Sequence, residues 1–357
     1  MRVLPLAGSY YQMGFEHGSA YAEQIREIAA ERVRLCGDPE WVGYSPSTGE
    51  VLGFARECLA QHEAYAPHLM EELSGISDSS GVSLAELIIL NGYTDFIDTL
   101  YAAGKGEAAT RRKADNCTAF MVPDGSSDSR QGFLGQTWDM HATATPYVIM
   151  LRIEPEDAPA ALIFTITGCV GMIGLNNAGI GVAINNLSGG DGQVGVTWPF
   201  VIRRMLEQRH IDDALACLTS ANLAGAHNYM LFDGSGNGYN VEAMSSHHHV
   251  SPLKSQPVAH TNHCLAKGAI ACQRPMQDSS MEDSTRRLDR AQQLLTKPSL
   301  SISDLMALTR DRPHICTYSE PPYFDETCGA AIMQPATGKF WAVWGLPSEN
   351  EFELLQI

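Results

Sequence analysis

From residue 117 onwards the chain is written as a succession of short β runs, and that pattern limits the fold more than any other feature. "CTAFMV", "GFLGQTWD", "YVIMLRIEP" and "ALIFTIT" are β-branched and aromatic stretches broken by Gly, Pro and Asp. "GLNNAGIGVAINNL" continues them with tight turns. Two helices are expected at about 197–209 and 211–222, and strands return at "NYMLFD", "GYNVEAM" and "VAHTNH". Helices follow near 282–296 and 303–310. "GAAIMQP" and "KFWAVWG" then read as a hairpin around residues 336–338. Upstream of 117 the pattern is helical. Met13, Tyr21, Ile25, Ile28 and Val33 recur at three-to-four spacing over 10–35. A second helix is expected over about 51–74. A third opens on the capping box "SLAE", Ser83 to Glu86, and runs on through "LIILNGYTDFIDTL". Helices, strands, helices and strands in that order make an α+β chain, with helices covering the faces of antiparallel sheets.

The texture changes at "AAGKGEAATRRKADN", residues 102–116, an aperiodic stretch that reads as an accessible loop and carries Arg111, Arg112 and Lys113 in a row. A chain of 357 residues, 44% hydrophobic and 18% charged, is globular and can bury a sizeable core. Its formal net charge of -17 argues against nucleic-acid and anionic-membrane partners and suits small neutral or cationic ones. No apolar run approaches the roughly 20 residues of a membrane helix. The first residues lack a basic stretch leading into a long apolar one, so no secretory signal is expected. Nine cysteines, an odd number with no CxxC spacing, argue against a disulfide framework and a zinc ribbon. Reduced, mostly buried thiols in a cytoplasmic protein are expected.

Cys117 stands between that loop and the first β run. A lone cysteine at a strand start is as a rule a packing residue, and spacing alone does not lift it above that. Its chemistry after a chain cut is another matter. If the 116–117 peptide bond were cut, Cys117 would carry a free α-amine with an ordinary pKa of about 7.7–8.0, near-ideal for a general base. One residue would then supply nucleophile and base. Asn116 tolerates the unusual backbone angles that an N-to-S acyl shift requires, and Asp115 can polarise the site.

Other clusters carry less. Three consecutive histidines, His247, His248 and His249, fit a surface loop or strand end and no tetrahedral metal site. In "HTNHC", strand alternation would put His260, Asn262 and Cys264 on one face and Thr261 and His263 on the other, which splits any ligand set. The glycines of "GLNNAGIGVAINN" come without a Walker lysine or a GxGxxG before a helix, so they read as turns. No metal and no cofactor is expected. Glu242, in "NVEAM", is either a surface carboxylate or a pocket residue.

Five stretches in one order carry a family resemblance. "GSYYQMGFEHG" supplies Gly8, Gly14, His17 and Gly18 in a G-x-x-x-x-x-G-x-x-H-G pattern. "DNCTAF" is similar to a D-G-C-T processing site, "GQTWDMH" to a G-Q-N-W-D strand and "GLNNAGIGVAINNL" to a G-x-N-S-A-G-V-x-V turn. "HTNHCL" matches a family signature residue for residue. The chain thus resembles the acyl-coenzyme A:6-aminopenicillanic acid acyltransferases, the peptidase C45-like branch of the N-terminal-nucleophile hydrolases. The resemblance implies an αββα sandwich of two antiparallel sheets flanked by helices. It also implies a precursor that cuts itself between Asn116 and Cys117. Segments 1–116, helical, and 117–357, catalytic, would stay associated, with assembly of such heterodimers into a homo-oligomer left open. Cys117 would be the nucleophile, Asn262 an oxyanion donor and Asp139 a carboxylate that orients the α-amine or assists processing. The second oxyanion donor would come from the backbone after Cys117 or from a nearby strand.

Two positions depart from the family pattern: Asn116 stands for a glycine, and Thr317, in "HICTYSE", for an arginine near the nucleophile. Losing an arginine removes a bidentate carboxylate anchor, so Thr317 points to a neutral or cationic amine substrate and to water as acyl acceptor. The expected activity is cleavage of a linear amide (an N-acyl amine, N-acyl amino acid or β-alanyl amine) through a thioester on Cys117, with Thr317, Glu242 and His141 beside the substrate. The alternatives are a non-processing binding or scaffold homologue, or an uncut amidase in which His141 or His263 assists Cys117.

Overall fold

In the computed structural model, which describes residues 1–104, 117–321 and 324–357, the β runs build two stacked sheets. The chain opens with strand β1 (Val3–Gly8) and seven helices: α1 (Tyr10–Ala20), α2 (Ala22–Cys36), α3 (Pro39–Val42), α4 (Thr48–Tyr65), α5 (Pro67–Ser80), α6 (Leu84–Leu90) and α7 (Tyr93–Ala103). Strands β2 (Thr118–Val122), β3 (Phe133–His141), β4 (Val148–Pro155), β5 (Ala161–Ile166), β6 (Ile173–Asn176) and β7 (Ile180–Asn186) follow. Next come α8 (Trp198–Leu206), α9 (Ile211–Thr219), β8 (His227–Asp233), β9 (Gly238–Ala243), β10 (His248–Pro252) and β11 (Val258–His260). Helices α10 (Lys267–Cys272), α11 (Asp278–Leu294) and α12 (Ile302–Thr309) precede β12 (Asp325–Gln334), β13 (Lys339–Trp344) and β14 (Glu353–Gln356).

One sheet has the order β1-β4-β5-β6-β7-β8-β9-β10 and the other β11-β2-β3-β12-β13-β14. β2 and β3 face β7 and β8 across the interior. α8 and α9 cover the first sheet, and α11 and α12 the second, which makes the αββα sandwich. Alternation in β2 shows why. Ala119 and Met121 enter the core between the sheets, while Phe120 and Val122 join Leu288, Leu305 and Ile315 under α11 and α12. Cys117 therefore heads a strand that is buried on both faces.

Several boundaries differ from the sequence expectation. The first segment is not purely helical. β1 adds itself to the large sheet, parallel to β4, so that sheet is not wholly antiparallel. Pro5 suits β1 because an edge strand can spare a donor. The helix expected over 51–74 is two, since Ala66 precedes Pro67 and leaves helical angles at φ -152, ψ 72. The third breaks at Asn91 and Gly92, where the Asn91 amide donates to Gly168 O at 2.8 Å and accepts from Val170 N at 2.9 Å. The stretch 10–35 breaks at Tyr21. The histidine run lies at the edge strand β10. The loop 102–116 falls, from 105 on, outside the described residues.

The motif near the N-terminus has a packing role. α1 and α5 touch so closely that a Cβ on Gly14 would lie 1.9 Å from Glu72 O, and one on Gly18 2.8 Å from Ile76 O. Between them His17 Nε2 accepts from Gly168 N at 3.0 Å. Burial, helped by Arg203, lowers His17 to about 4, so the ring is neutral and free to accept. Among the described residues no single helix is long and apolar enough to cross a membrane.

Candidate active site

Cys117 is 4% exposed and lies at the head of β2, beside β3. Its Sγ accepts from Asp139 N at 3.3 Å and lies 3.7 Å from Asp139 O. The Thr118 N–H donates to Thr137 Oγ1 at 3.1 Å.

The Asp139 carboxylate is fully buried under hydroxyls. A register shift in β12 after Thr327 presents its Oγ1 to Asp139 Oδ2 at 3.0 Å. Burial pushes Asp139 up to about 7, against the opposing pull of Arg287 and of the Thr317, Thr327 and Thr137 hydroxyls. At neutral pH this carboxyl is thus poised to exchange a proton. Thr317, at the expected arginine position, serves Asp139. Its backbone N–H donates to Thr327 Oγ1 at 2.9 Å, and its hydroxyl favours the charged form of the carboxyl. It is not among the residues that line the cavity at Cys117.

An arginine is present all the same, and it comes from another element. Arg287 of α11 is buried and donates from Nη1 to Cys117 O at 2.9 Å, from Nη2 to Asn262 Oδ1 at 3.1 Å and from Nε to Asp283 Oδ2 at 3.0 Å. Ser284, one turn earlier on the same face, accepts from Asn262 N at 3.0 Å, while its own carbonyl accepts from Thr261 Oγ1 at 3.0 Å. α11 thereby holds the loop after β11 and the strand head of β2 in one clamp. Asn262 Nδ2 gives one hydrogen to Asn186 O at 3.0 Å and has a second to give.

Two expected substrate contacts are corrected. Glu242 is neither on the surface nor in the Cys117 cavity. It is 2% exposed, meets His260 Nε2 at 2.8 Å and accepts from Leu265 N and Ala266 N at 2.7 and 2.8 Å. Burial alone would raise it, but His260 and the two amides hold it below the usual carboxylate range. It braces the loop that carries Asn262. The strand alternation expected through "HTNHC" ends at His260, and no cluster of His, Cys, Asp or Glu suited to a metal exists among the described residues. His141 does not line the cavity, and its ring stands edge-on to Trp41 and Tyr93, with centroids 5.3 and 6.1 Å away. His263 shares a hydrogen bond with Ser284 Oγ at 2.8 Å, and burial lowers it to about 4. Asn116 lies outside the described residues.

The cavity that Cys117 enters is narrow, about 40 Å³ of free space, and largely apolar, with Leu90, Trp138, Ile166 and Ile184 in its wall. Arg32, Thr94, Asn186 and His227 are among its polar members. His227 Nε2 is paired with Thr94 Oγ1 at 3.0 Å, and burial lowers the ring to about 3. A larger, polar groove of about 660 Å³ lies elsewhere, lined by Asn176, Asp212, Asp233 and Pro335 and by no cysteine. Cys117 lines the narrow one, while Asp139 and Arg287 are bonded to Cys117 without lining it.

Sequence reasoning missed Arg287 and Arg32. Each left a trace. Arg287 falls in the buried stripe of α11 with Ser284, Leu288 and Ala291, and Arg32 in that of α2 with Ile25, Ile28, Ala29, Leu35 and Cys36. A charge on an apolar stripe marks a buried partner or a ligand.

Residues 126–349 match the family described as acyl-coenzyme A:6-aminopenicillanic acid acyl-transferase. The 40 kDa form of acyl-coenzyme A:6-aminopenicillanic-acid-acyltransferase from Emericella nidulans is 25% identical over 295 residues, which covers 81% of this chain and 76% of that protein. Among solved structures, a variant conjugated bile acid hydrolase from Clostridium perfringens is similar with a TM-score of 0.44 and 12% identity, covering 68% of this chain and 97% of that one. Penicillin V acylase from Agrobacterium tumefaciens has a TM-score of 0.40 and 11% identity, with coverages of 68% and 80%.

Proposed function

Because this chain belongs to the acyl-coenzyme A:6-aminopenicillanic acid acyl-transferase family, we propose that it is a self-processing cysteine amidohydrolase or acyltransferase acting on a linear amide. One observation carries the reading. A buried thiol heads a core strand, faces an apolar cavity, and has its own carbonyl tied through one guanidinium to Asn262.

The cut falls between Asn116 and Cys117. Sγ attacks the Asn116 carbonyl carbon, the bond to the Cys117 nitrogen breaks as that nitrogen takes up the thiol proton and becomes a free α-amine, and water hydrolyses the resulting thioester to the Asn116 carboxylate and the free thiol. Fragments of 116 and 241 residues (357 − 116) result. They stay together because β1 of the first is a strand of the second fragment's sheet, and α1 packs against β4. In turnover the α-amine takes the thiol proton. Sγ adds to the amide carbon, and the second amide hydrogen of Asn262 stabilises the oxyanion, a contribution of about 3–4 kcal/mol for such a donor. The amine leaves with the proton, and the thioester on Cys117 passes its acyl group to water or to an acceptor amine. Asp139, near neutrality, orients the α-amine.

Intact mass under denaturing conditions tests this first. The purified chain gives two fragments, the larger beginning at Cys117, and Cys117→Ala gives one uncut, inactive chain. A cut or active Cys117→Ala protein ends the proposal. A full-length species labelled at Cys117 by an acyl probe replaces it with the uncut amidase.

A further inference from the structure

Among the described residues three arginines are fully buried: Arg32, Arg203 and Arg287. Two are neutralised. Arg203 grips Glu72 through Nη1 and Nη2 at 3.2 and 2.9 Å, and Arg287 meets Asp283 at 3.0 Å. Arg32 is different. It is 1% exposed, yet neither terminal nitrogen has a hydrogen-bond partner among the described residues. Its guanidinium lies over the face of Tyr93, 4.8 Å from the guanidinium carbon to the ring centroid. Arg32 lines the same cavity as Cys117.

A buried guanidinium without an anion is costly. The penalty for withdrawing an ion from water is several kcal/mol after relaxation, and a π-face offsets only part of it. α2 could have placed leucine or methionine on this stripe, where its neighbours are Ile28, Ala29 and Leu35. A fork of N–H donors in a dry, apolar cavity is shaped for a planar anion, and the low dielectric strengthens the pairing. We infer that Arg32 is the anion-reading residue of the Cys117 cavity and receives a carboxylate carried by the amide substrate. The substrates are then N-acyl amino acids, with the carboxylate on the amine side, or half-amides of dicarboxylic acids, with it on the acyl side. This rests on the reading of Cys117 as the acylated residue. It reverses the inference drawn from Thr317: the arginine absent there has a counterpart on a helix of the first segment. Specificity would thus reside in the fragment that self-cleavage separates, which gives that fragment a reason to stay bound.

The test uses two substrate pairs that differ only by a carboxylate: N-hexanoylglycine against N-hexanoylmethylamine, and glutaryl- against butyryl-p-nitroanilide. The processed enzyme is expected to prefer the carboxylate member of one pair in kcat/KM by about a hundredfold, the scale of two charge-assisted hydrogen bonds. The pair that shows it assigns the side. Arg32→Met erases the preference while its melting temperature holds or rises, because an unpaired charge has gone. Arg32→Lys keeps the charge without the fork and retains part of the preference, which covers a poorly folding Met variant. A binding arm is independent of turnover. Cys117→Ala is stabilised against heat by the carboxylate ligands and not by the neutral ones, and the added Arg32→Met removes that effect. Absence of preference or stabilisation in the parent, or a preference that survives Arg32→Met, overturns the inference. If Cys117 is never acylated, the reading of the nucleophile falls, and the binding arm still decides on Arg32.

Discussion

Arg287→Met is the perturbation that most directly probes the clamp. Methionine keeps much of the side-chain volume, so the packing loss is small. It withdraws the donors from Cys117 O and Asn262 Oδ1 and one counter-charge from Asp283, which keeps its contact with the half-exposed Arg286. Orphaning a buried acceptor costs about 1–3 kcal/mol, and breaking a buried ion pair about 3–5 kcal/mol. The contributions overlap, and a total of roughly 4 kcal/mol is expected. At about 2.1 cal/mol/K per residue, 357 residues give an unfolding entropy near 0.75 kcal/mol/K, so the melting temperature falls by ~5 °C. The measurement belongs in a Cys117→Ala background. That substitution retains the carbonyl Arg287 holds and keeps the chain in one piece during thermal unfolding. With Cys117 present, mass spectrometry over time follows cleavage, which slows because Asn262 is no longer registered to Cys117. A melting temperature within about 1 °C of the parent, which is under ~1 kcal/mol on the same entropy, together with unchanged cleavage, would refute the clamp.

Asp139 gives a pH signature. Its folded value of about 7 exceeds the ordinary 3.8, so the native state binds its proton more tightly than the unfolded chain. The penalty is absent below pH 3.8, grows as pH rises and is complete above 7, at roughly 4 kcal/mol. In the Cys117→Ala background, Asp139→Asn should therefore gain stability on the parent between pH 5 and pH 8, read by urea midpoints; a pH-independent difference counts against it. Glu242, held low by His260 and two amides, has the opposite sign: its stabilisation is present above the ordinary carboxylate pKa and is lost as pH falls through its depressed one. Glu242→Gln should cost about 3 kcal/mol at neutral pH and speed hydrogen exchange at Leu265 and Ala266; unchanged exchange would show that Glu242 does not brace this loop. Gly14→Ala should lose about 3 kcal/mol, because the new methyl meets Glu72 O, whereas Gly53→Ala, open on every side in α4, should hold or gain up to ~1 kcal/mol by helix propensity. Equal melting temperatures for the two variants would dismiss the close-packing account of the N-terminal motif.

The β runs and their hairpins were readable because a strand's period of two and its Gly, Pro and Asp breaks are local properties. So was the capping box, whose Ser83 N–H donates to Glu86 at 3.0 Å as expected. The helix breaks at Tyr21 and Asn91 were not, since periodicity runs across them and the bonds that decide the second come from 168 and 170. Thr317 was misread for the same reason. Only the register shift in β12 reveals that its neighbour Thr327 meets Asp139.

What the sequence determined by itself is the inventory: an α+β chain, a change of texture at residue 115, and Cys117 at the head of a core strand, in an order of motifs that one family shares. Those follow from side-chain size, polarity and spacing, which act between near neighbours. What tertiary structure decided is which charges meet. Arg287 lies 170 residues from Cys117 and closes on its carbonyl. Glu242 is drawn away from the cavity to His260. Arg32 lines the cavity with no hydrogen-bond partner for its terminal nitrogens among the described residues. A buried charge is settled by whatever the fold brings within about 3–4 Å of it, and no local pattern encodes that distance.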